Sequence, residues 1–272
     1  MTQRLTTDWL VPDWPAPEGV HAVFTTRQGG GSAPPWDSMN LGDHVGDAPA
    51  QVAANRSHLA ASVGAHAVFL QQVHGNTVRV LSRQTPDGCV ADACVTDKAR
   101  VACTIMVADC LPVLLTTACG SVVGAAHAGW RGLAGVGPGA GVLEAIDVSC
   151  RALIQQQGAG DAPQIMAWLG PCIGPDAFEV GKDVKAAFEA ADPAAAECFT
   201  AAGPGKFLAD LPALARRRLR ALGVGAVYGN DSSSAWCTVS NPSRFFSHRR
   251  DAGLSGNGFF TTGRMAACIW KD

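Results

Sequence analysis

The chain has 272 residues, a formal net charge of −2, 47% hydrophobic residues and only 16% charged ones. That length and apolar content supply ample material for a buried core. The balanced charge excludes a partner that needs a clustered basic excess, nucleic acid above all, and leaves small polar molecules as the expected ligands.

Residues 1–19 carry three prolines and two tryptophans and read as an irregular lead-in. They hold no basic segment followed by an apolar stretch, so the expected location is the cytoplasm. His21 to Thr26 reads as a strand. The glycines and prolines of Arg27 to Pro35 then forbid regular structure. Ala48 to Val63 reads as a helix, with Asp47 as its N-cap and Pro49 in its first turn. Short strands follow at Val68 to Val73, Thr77 to Leu81, Val101 to Val107, Pro112 to Thr117 and Ser121 to His127, all rich in β-branched or apolar residues. Asp109, Pro112 and Gly120 interrupt the apolar stretch from Val101 to Ala126, which reads as several buried strands rather than a membrane span.

Gly139 to Gln157 reads as a helix because Leu143, Ile146, Cys150 and Leu153 recur on one face. Gln164 to Leu169 is a strand. Lys182 to Ala191 and Leu208 to Leu222 are helices, the second with Arg216, Arg217 and Arg220 expected on a solvated face. Ala226 to Tyr228 and Phe259 to Trp270 close the sheet. Strands outnumber helices without strict alternation, so the expected fold is α+β, a mixed sheet packed by helices. No linker divides the chain, and residues 1–272 read as one domain. No heptad or interface strip appears, so a monomer is expected. The ten cysteines show no CxxC pair; in a reducing compartment most should be free, buried thiols.

Three segments place a metal-binding side chain beside a turn or strand end: Gln71 to Gly75 with His74, Val107 to Pro112 with Cys110, and His127 to Gly132. Reversals at Gly75, Pro112 and Gly129 would leave these side chains at a sheet rim, where a cleft can form. Two imidazoles and one thiolate suit Zn2+, and three protein ligands leave a fourth position open, the catalytic pattern. Bound zinc lowers the pKa of its water toward ~7. Spacing alone is a weak signal, since each of these residues taken singly also serves as an ordinary buried side chain.

The segments are more specific together. They comprise Thr26-Arg27 with Gly29-Gly30, Asn40-Leu41-Gly42 with His44-Val45-Gly46-Asp47, Gln72-Val73-His74-Gly75, Ala108-Asp109-Cys110 with Pro112, His127-Ala128-Gly129-Trp130-Arg131-Gly132, Gly170-Pro171 with Ile173 and Phe178-Glu179-Val180, and Phe245-Phe246-Ser247-His248-Arg249-Arg250. In this order the chain resembles, over nearly its whole length, the laccase-domain or multicopper polyphenol oxidase family of YfiH type. One departure is His248, where many relatives are expected to carry tyrosine. The resemblance implies a zinc-dependent purine nucleoside phosphorylase acting on adenosine, inosine and methylthioadenosine, with adenosine deaminase activity. It also implies that His74, Cys110 and His127 are the zinc ligands.

Other roles follow from chemistry. Arg27, Arg131 and Arg249 are candidates to bind phosphate through a planar guanidinium, with Arg250 a further one. His44 is a candidate substrate contact, and Trp130 either stacks on a purine or packs in the core. Asp109 is a candidate catalytic group, as proton carrier or as a support for a ligand, and Glu179 is a second candidate carboxylate. Two other readings stay open. Cys110 and a histidine could form a metal-free nucleophile–base pair, as in a deamidating bacterial toxin domain whose fold the family resembles; some relatives are credited with editing peptidoglycan precursors. Copper could replace zinc and give weak phenol oxidase activity, although seven histidines in all are too few for a full multicopper cluster.

Overall fold

The computed structural model describes residues 8–137, 139–158, 164–251 and 262–272. Two mixed sheets dominate. The four-stranded sheet has the order β1 (Val20–Phe24), β13 (Met265–Lys271), β5 (Val101–Val107) and β2 (His66–Phe69). Only the β2–β5 pair is parallel. The six-stranded sheet runs β12 (Ala226–Gly229), β8 (Ile165–Leu169), β6 (Leu111–Thr117), β7 (Val123–Ala128), β4 (Ala93–Thr96) and β3 (Val78–Val80). Its outer pairs are parallel and its inner pairs antiparallel. A small antiparallel sheet joins β10 (Phe199–Ala201), β11 (Lys206–Ala209) and β9 (Glu179–Gly181).

The two large sheets pack face to face. Phe24, Val68, Ile105 and Met265 from one meet Cys94, Leu114, Ala125 and Trp168 from the other in one apolar cluster. Burying a side chain the size of Phe24, Val68, Ile105 or Leu114 contributes about 1.5–3 kcal/mol. The far face of the six-stranded sheet is covered by α3 (Val142–Gln156), α4 (Lys182–Glu189) and α5 (Leu211–Ala221). The far face of the other meets α1 (Pro49–Val63) through Leu59 and Val63. The mixed-sheet expectation therefore holds, in four layers. Because both faces of each large sheet are covered, β5, β6 and β7 are buried at every residue, which is why they read as apolar runs without alternation. Among the described residues no helix is long and apolar enough to cross a membrane.

Several expectations are corrected. The strand read as Val68 to Val73 ends at Phe69. Beyond it the Gln72 side chain takes over the ladder, donating from Nε2 to the Met106 carbonyl and accepting from the Met106 N–H, both at 2.8 Å. The N-cap of α1 is Ala48, not Asp47; Asp47 instead accepts from the Ala48 N–H and the Asn40 amide. The arginines of α5 are not a purely solvated face. Arg216 donates to the carbonyls of Val227, Gly229 and Asn230, and Arg217 pairs with Asp192, whereas Arg220 is exposed. Of the cysteines, all free, Cys119 is exposed and Cys89 and Cys198 are half-buried. The last strand begins at Met265 rather than Phe259, which lies outside the described residues.

Candidate metal centre

Strand register assembles the site. In the β6–β7 pair Leu111 faces Ala128 and Pro112 faces His127. Cys110, one residue before β6, therefore lies beside the end of β7. In the β4–β7 pair Ala93 faces Ala126, which brings Asp92, one residue before β4, next to His127. The reversal leading into β6 is thus at Asp109, with φ +86°, and not at Pro112, which lies inside the strand.

Asp92 is fully buried and organises the remaining ligand segment. Its carboxylate accepts from the backbone N–H groups of Val73, His74 and Gly75, the last two at 2.8 and 2.7 Å. It also accepts from His127 Nδ1 at 2.9 Å. These bonds hold His74 at φ +61°, a conformation uncommon for a residue with a Cβ. Burial alone would raise the Asp92 pKa, but the bonds from His127 and from the Gly75 and Val73 amides lower it below its usual value.

The outcome is convergence. Ligand atoms of His74, Cys110 and His127 all lie within 4.8 Å of one another. His74 Nε2 is 3.7 Å from Cys110 Sγ, and the two imidazole rings meet edge to face at 4.7 Å. With Nδ1 engaged by Asp92, His127 turns Nε2 toward the thiol, the arrangement that fixes a metal-binding tautomer. Burial opposes charge on Cys110, yet His127 and His74 pull its pKa down to about 6. Burial likewise opposes charge on His127, while Cys110 and Asp92 push it up to about 9. The thiolate a soft metal requires is therefore favoured by its surroundings. Space is reserved as well: a Cβ on Gly129 would sit 2.9 Å from His74 Cδ2 and 3.2 Å from Cys110 Sγ. This donor set fits a divalent metal such as zinc. Among the described residues it is the one such group, so a second, histidine-rich cluster has no place among them.

The three side chains open into a cavity of about 300 Å³ that is also lined by His44, Asp109, Trp130, Phe178, Arg249 and Arg264. Asp109 reaches it with both carboxylate oxygens occupied, one by Thr238 Oγ1 at 2.5 Å and the other by the Arg249 N–H at 2.6 Å. Arg249 spends its guanidinium on the carbonyls of Ala177 and Glu179. Four other candidates lie outside the cavity lining. Arg27 binds Asp37 and the Pro242 carbonyl and packs over Phe246. Arg131 stacks on the ring of its neighbour Trp130 at 4.6 Å, at the start of the short helix α2 (Trp130–Ala134). The Glu179 carboxylate pairs with Lys206. Arg250 holds the Thr238 and Phe245 carbonyls together with Asp251.

Sequence reasoning missed Asp92 and Arg264. The signal for Asp92 was a lone carboxylate at the mouth of the apolar run Ala91 to Val95. Arg264 is likewise a lone cation directly before an apolar strand.

The family described as multi-copper polyphenol oxidoreductase laccase matches residues 21–272. The chain is 46% identical, over 96% of its length and 98% of theirs, to the purine nucleoside phosphorylase YfiH of Escherichia coli and to a purine nucleoside phosphorylase of Pseudomonas aeruginosa. Among solved structures it is similar to a Neisseria meningitidis protein at TM-score 0.81 and 46% identity, covering 98% of this chain and 100% of that one. It is also similar to YlmD from Geobacillus stearothermophilus at TM-score 0.82 and 31% identity, covering 99% and 98%. With the fold and nearly the full length matched, this chain belongs to the multi-copper polyphenol oxidoreductase laccase family.

Proposed function

We propose that this chain is a purine nucleoside phosphorylase in which His74, Cys110 and His127 hold zinc. The observation that carries the reading is the convergence of these three side chains at the wall of a cavity. The 46% identity to enzymes named for this activity supports it. The cavity has the volume of a small-molecule pocket. Phe178, Ile173 and Met106 give it an apolar wall suited to a flat purine, and Trp130 adds an aromatic face.

In phosphorolysis an oxygen of hydrogen phosphate forms a bond to C1′ of the ribose. The C1′–N9 bond breaks and its electron pair goes to the base, and the proton carried by the phosphate ends on the purine. Ribose 1-phosphate and the free base result. A bound divalent metal supplies Lewis acidity at this wall. The chain's own part is to orient and to exclude water. Asp92 fixes the His127 tautomer, and Asp109 braces the rim by tying the segment before Cys110 to Thr238 and Arg249. With both oxygens engaged, Asp109 is a positioning residue rather than a proton carrier. Adenosine, inosine and methylthioadenosine are the expected substrates. Adenosine deamination, in which water adds at C6 and ammonia leaves, would use the same metal wall.

A second reading is favoured by one arrangement: Cys110, His127 and Asp92 form a nucleophile–base–orienter row, the pattern of cysteine hydrolases and amidases. Metal content separates the two. One zinc per chain, with adenine released from adenosine only when phosphate is present and lost in Cys110→Ala, is the expected result. Inosine formed without phosphate would assign the deaminase branch. A fully active, metal-free protein would give the site to the cysteine chemistry.

A further inference from the structure

The metal wall accounts for one side of the cavity. The opposite chemistry lies at Arg264. Because β13 runs antiparallel to β5 with Met265 facing Val107, the residue before β13 lies beside the Ala108–Cys110 loop at the cavity end of the sheet. Arg264 therefore lines the same cavity as the candidate ligands.

The Asn40-Leu41-Gly42 segment holds it there. Asn40 Oδ1 accepts from the Arg264 N–H at 2.9 Å, and the Leu41 N–H donates to the Arg264 carbonyl at 3.0 Å. Gly42 makes room for the stem: a Cβ there would sit 2.7 Å from Arg264 Cγ. Asn40 is itself fully buried and ties back to Gly42 and Asp47. The buried Asn40 amide and the close approach of Gly42 to the stem thus fix where Arg264 leaves the backbone.

The guanidinium so aimed is incompletely satisfied. Nη1 donates to the carbonyls of Thr262 and Gly263, while Nε and Nη2 have no hydrogen-bond partner among the described residues. No carboxylate forms an ion pair with it among those residues, in contrast to Arg27, Arg56, Arg217 and Arg218. Burial disfavours its charge, and the negative charges of Cys110 and Asp109 offset that only in part. Neither Nε nor Nη2 is among the buried side-chain atoms left without a partner, so both are open to solvent, and an oxyanion entering the cavity can reach them. His44 stands on the same lining; burial and the Arg264 charge lower its pKa. A neutral imidazole can either donate to or accept from a phosphate oxygen.

We propose that Arg264, with His44 beside it, is the oxyanion corner of this cavity and holds the inorganic phosphate for attack on the ribose. The assignment rests on the phosphorylase reading for its ligand. It replaces Arg27, Arg131 and Arg249, whose guanidinium groups stack elsewhere or are engaged by carbonyls and a carboxylate. Arg264 would bind phosphate through Nε and Nη2, the two-pronged geometry that makes arginine suited to such anions.

The test is calorimetric titration of inorganic phosphate into the zinc-loaded protein, with and without purine base, for wild type, Arg264→Gln, Arg264→Lys and His44→Gln. Steady-state kinetics in both substrates run alongside. Loss of a charged hydrogen-bonding group predicts phosphate affinity about 10- to 100-fold weaker in Arg264→Gln, with zinc content and nucleoside KM nearly unchanged. Arg264→Lys should recover part of the loss, and the exposed His44→Gln, which poses little risk to folding, should weaken phosphate several-fold. Equal phosphate affinity in wild type and all three variants, or no binding to wild type at millimolar phosphate, would overturn the assignment. So would a rise confined to the nucleoside KM. Phosphate binding that depends on Arg264 in a protein that releases no base would keep the oxyanion corner and reject the phosphorylase reading.

Discussion

Asp92 shows how much of this site depends on one residue that touches no substrate. Its carboxylate bonds the His74 segment and His127 at once, so it couples two stretches that carry candidate ligands and are separate in sequence. Replacing one oxygen by an amide in Asp92→Asn turns an acceptor into a donor facing N–H groups. We expect metal affinity to fall about 10- to 100-fold, measured by competition with a chelating dye. Gly129→Ala should weaken the metal by another route, since its Cβ would crowd His74 and Cys110. Unchanged affinity in both variants would mean that these side chains do not hold the metal. Cys110 illustrates the same dependence in its electrostatics: desolvation alone would make this half-buried thiol resist ionisation, and the two imidazoles reverse that.

At the scale of elements, the short helix α6 (His248–Asp251) forms part of the cavity rim. Asp109 holds it through the Arg249 N–H, and Asp251 holds it through the Ser247 N–H, Arg250 and Thr262. Burial tends to raise the Asp251 pKa, but these bonds prevail and lower it. A folded-state value below the unfolded one, about 3.9, stabilises the fold at pH above that value, and the stabilisation disappears as pH falls through the folded value. Asp251→Asn should therefore be less stable than wild type near neutral pH. Denaturant melts should show the gap closing between about pH 4 and more acidic conditions; a gap independent of pH would remove charge as its source. Elements also mark where sequence reading stopped. The helix α3 was legible because its apolar period is local. β4, β9, β10 and β11 were not read, because strands of three or four residues owe their pairing to distant partners rather than to their own pattern.

Across the whole molecule, the candidate metal site sits at one end of two packed sheets whose core is built without it. Asp92, the β6–β7 register and the Gln72 amide position the three candidate ligands by hydrogen bonds that need no ion. Chelation should thus lower the melting temperature by the lost binding free energy while far-UV dichroism and a cooperative transition persist. Collapse of secondary structure on chelation would show instead that the metal is a structural staple.

The sequence by itself determined the apolar strands, the amphipathic helices and the identity of the three candidate ligands, because residue type, period and motif order are carried locally along the chain. The resemblance carried by those motifs also set the expectation of a purine nucleoside enzyme. Only the tertiary structure decided which polar residues share the cavity. It set Arg27, Arg131 and Glu179 aside, and it brought Asp92 beside His127 and Arg264 beside Asn40. Those choices depend on strand register and on which guanidinium groups are already satisfied by carbonyls and carboxylates. Both are properties of contacts between segments up to 224 residues apart, to which no local pattern is sensitive.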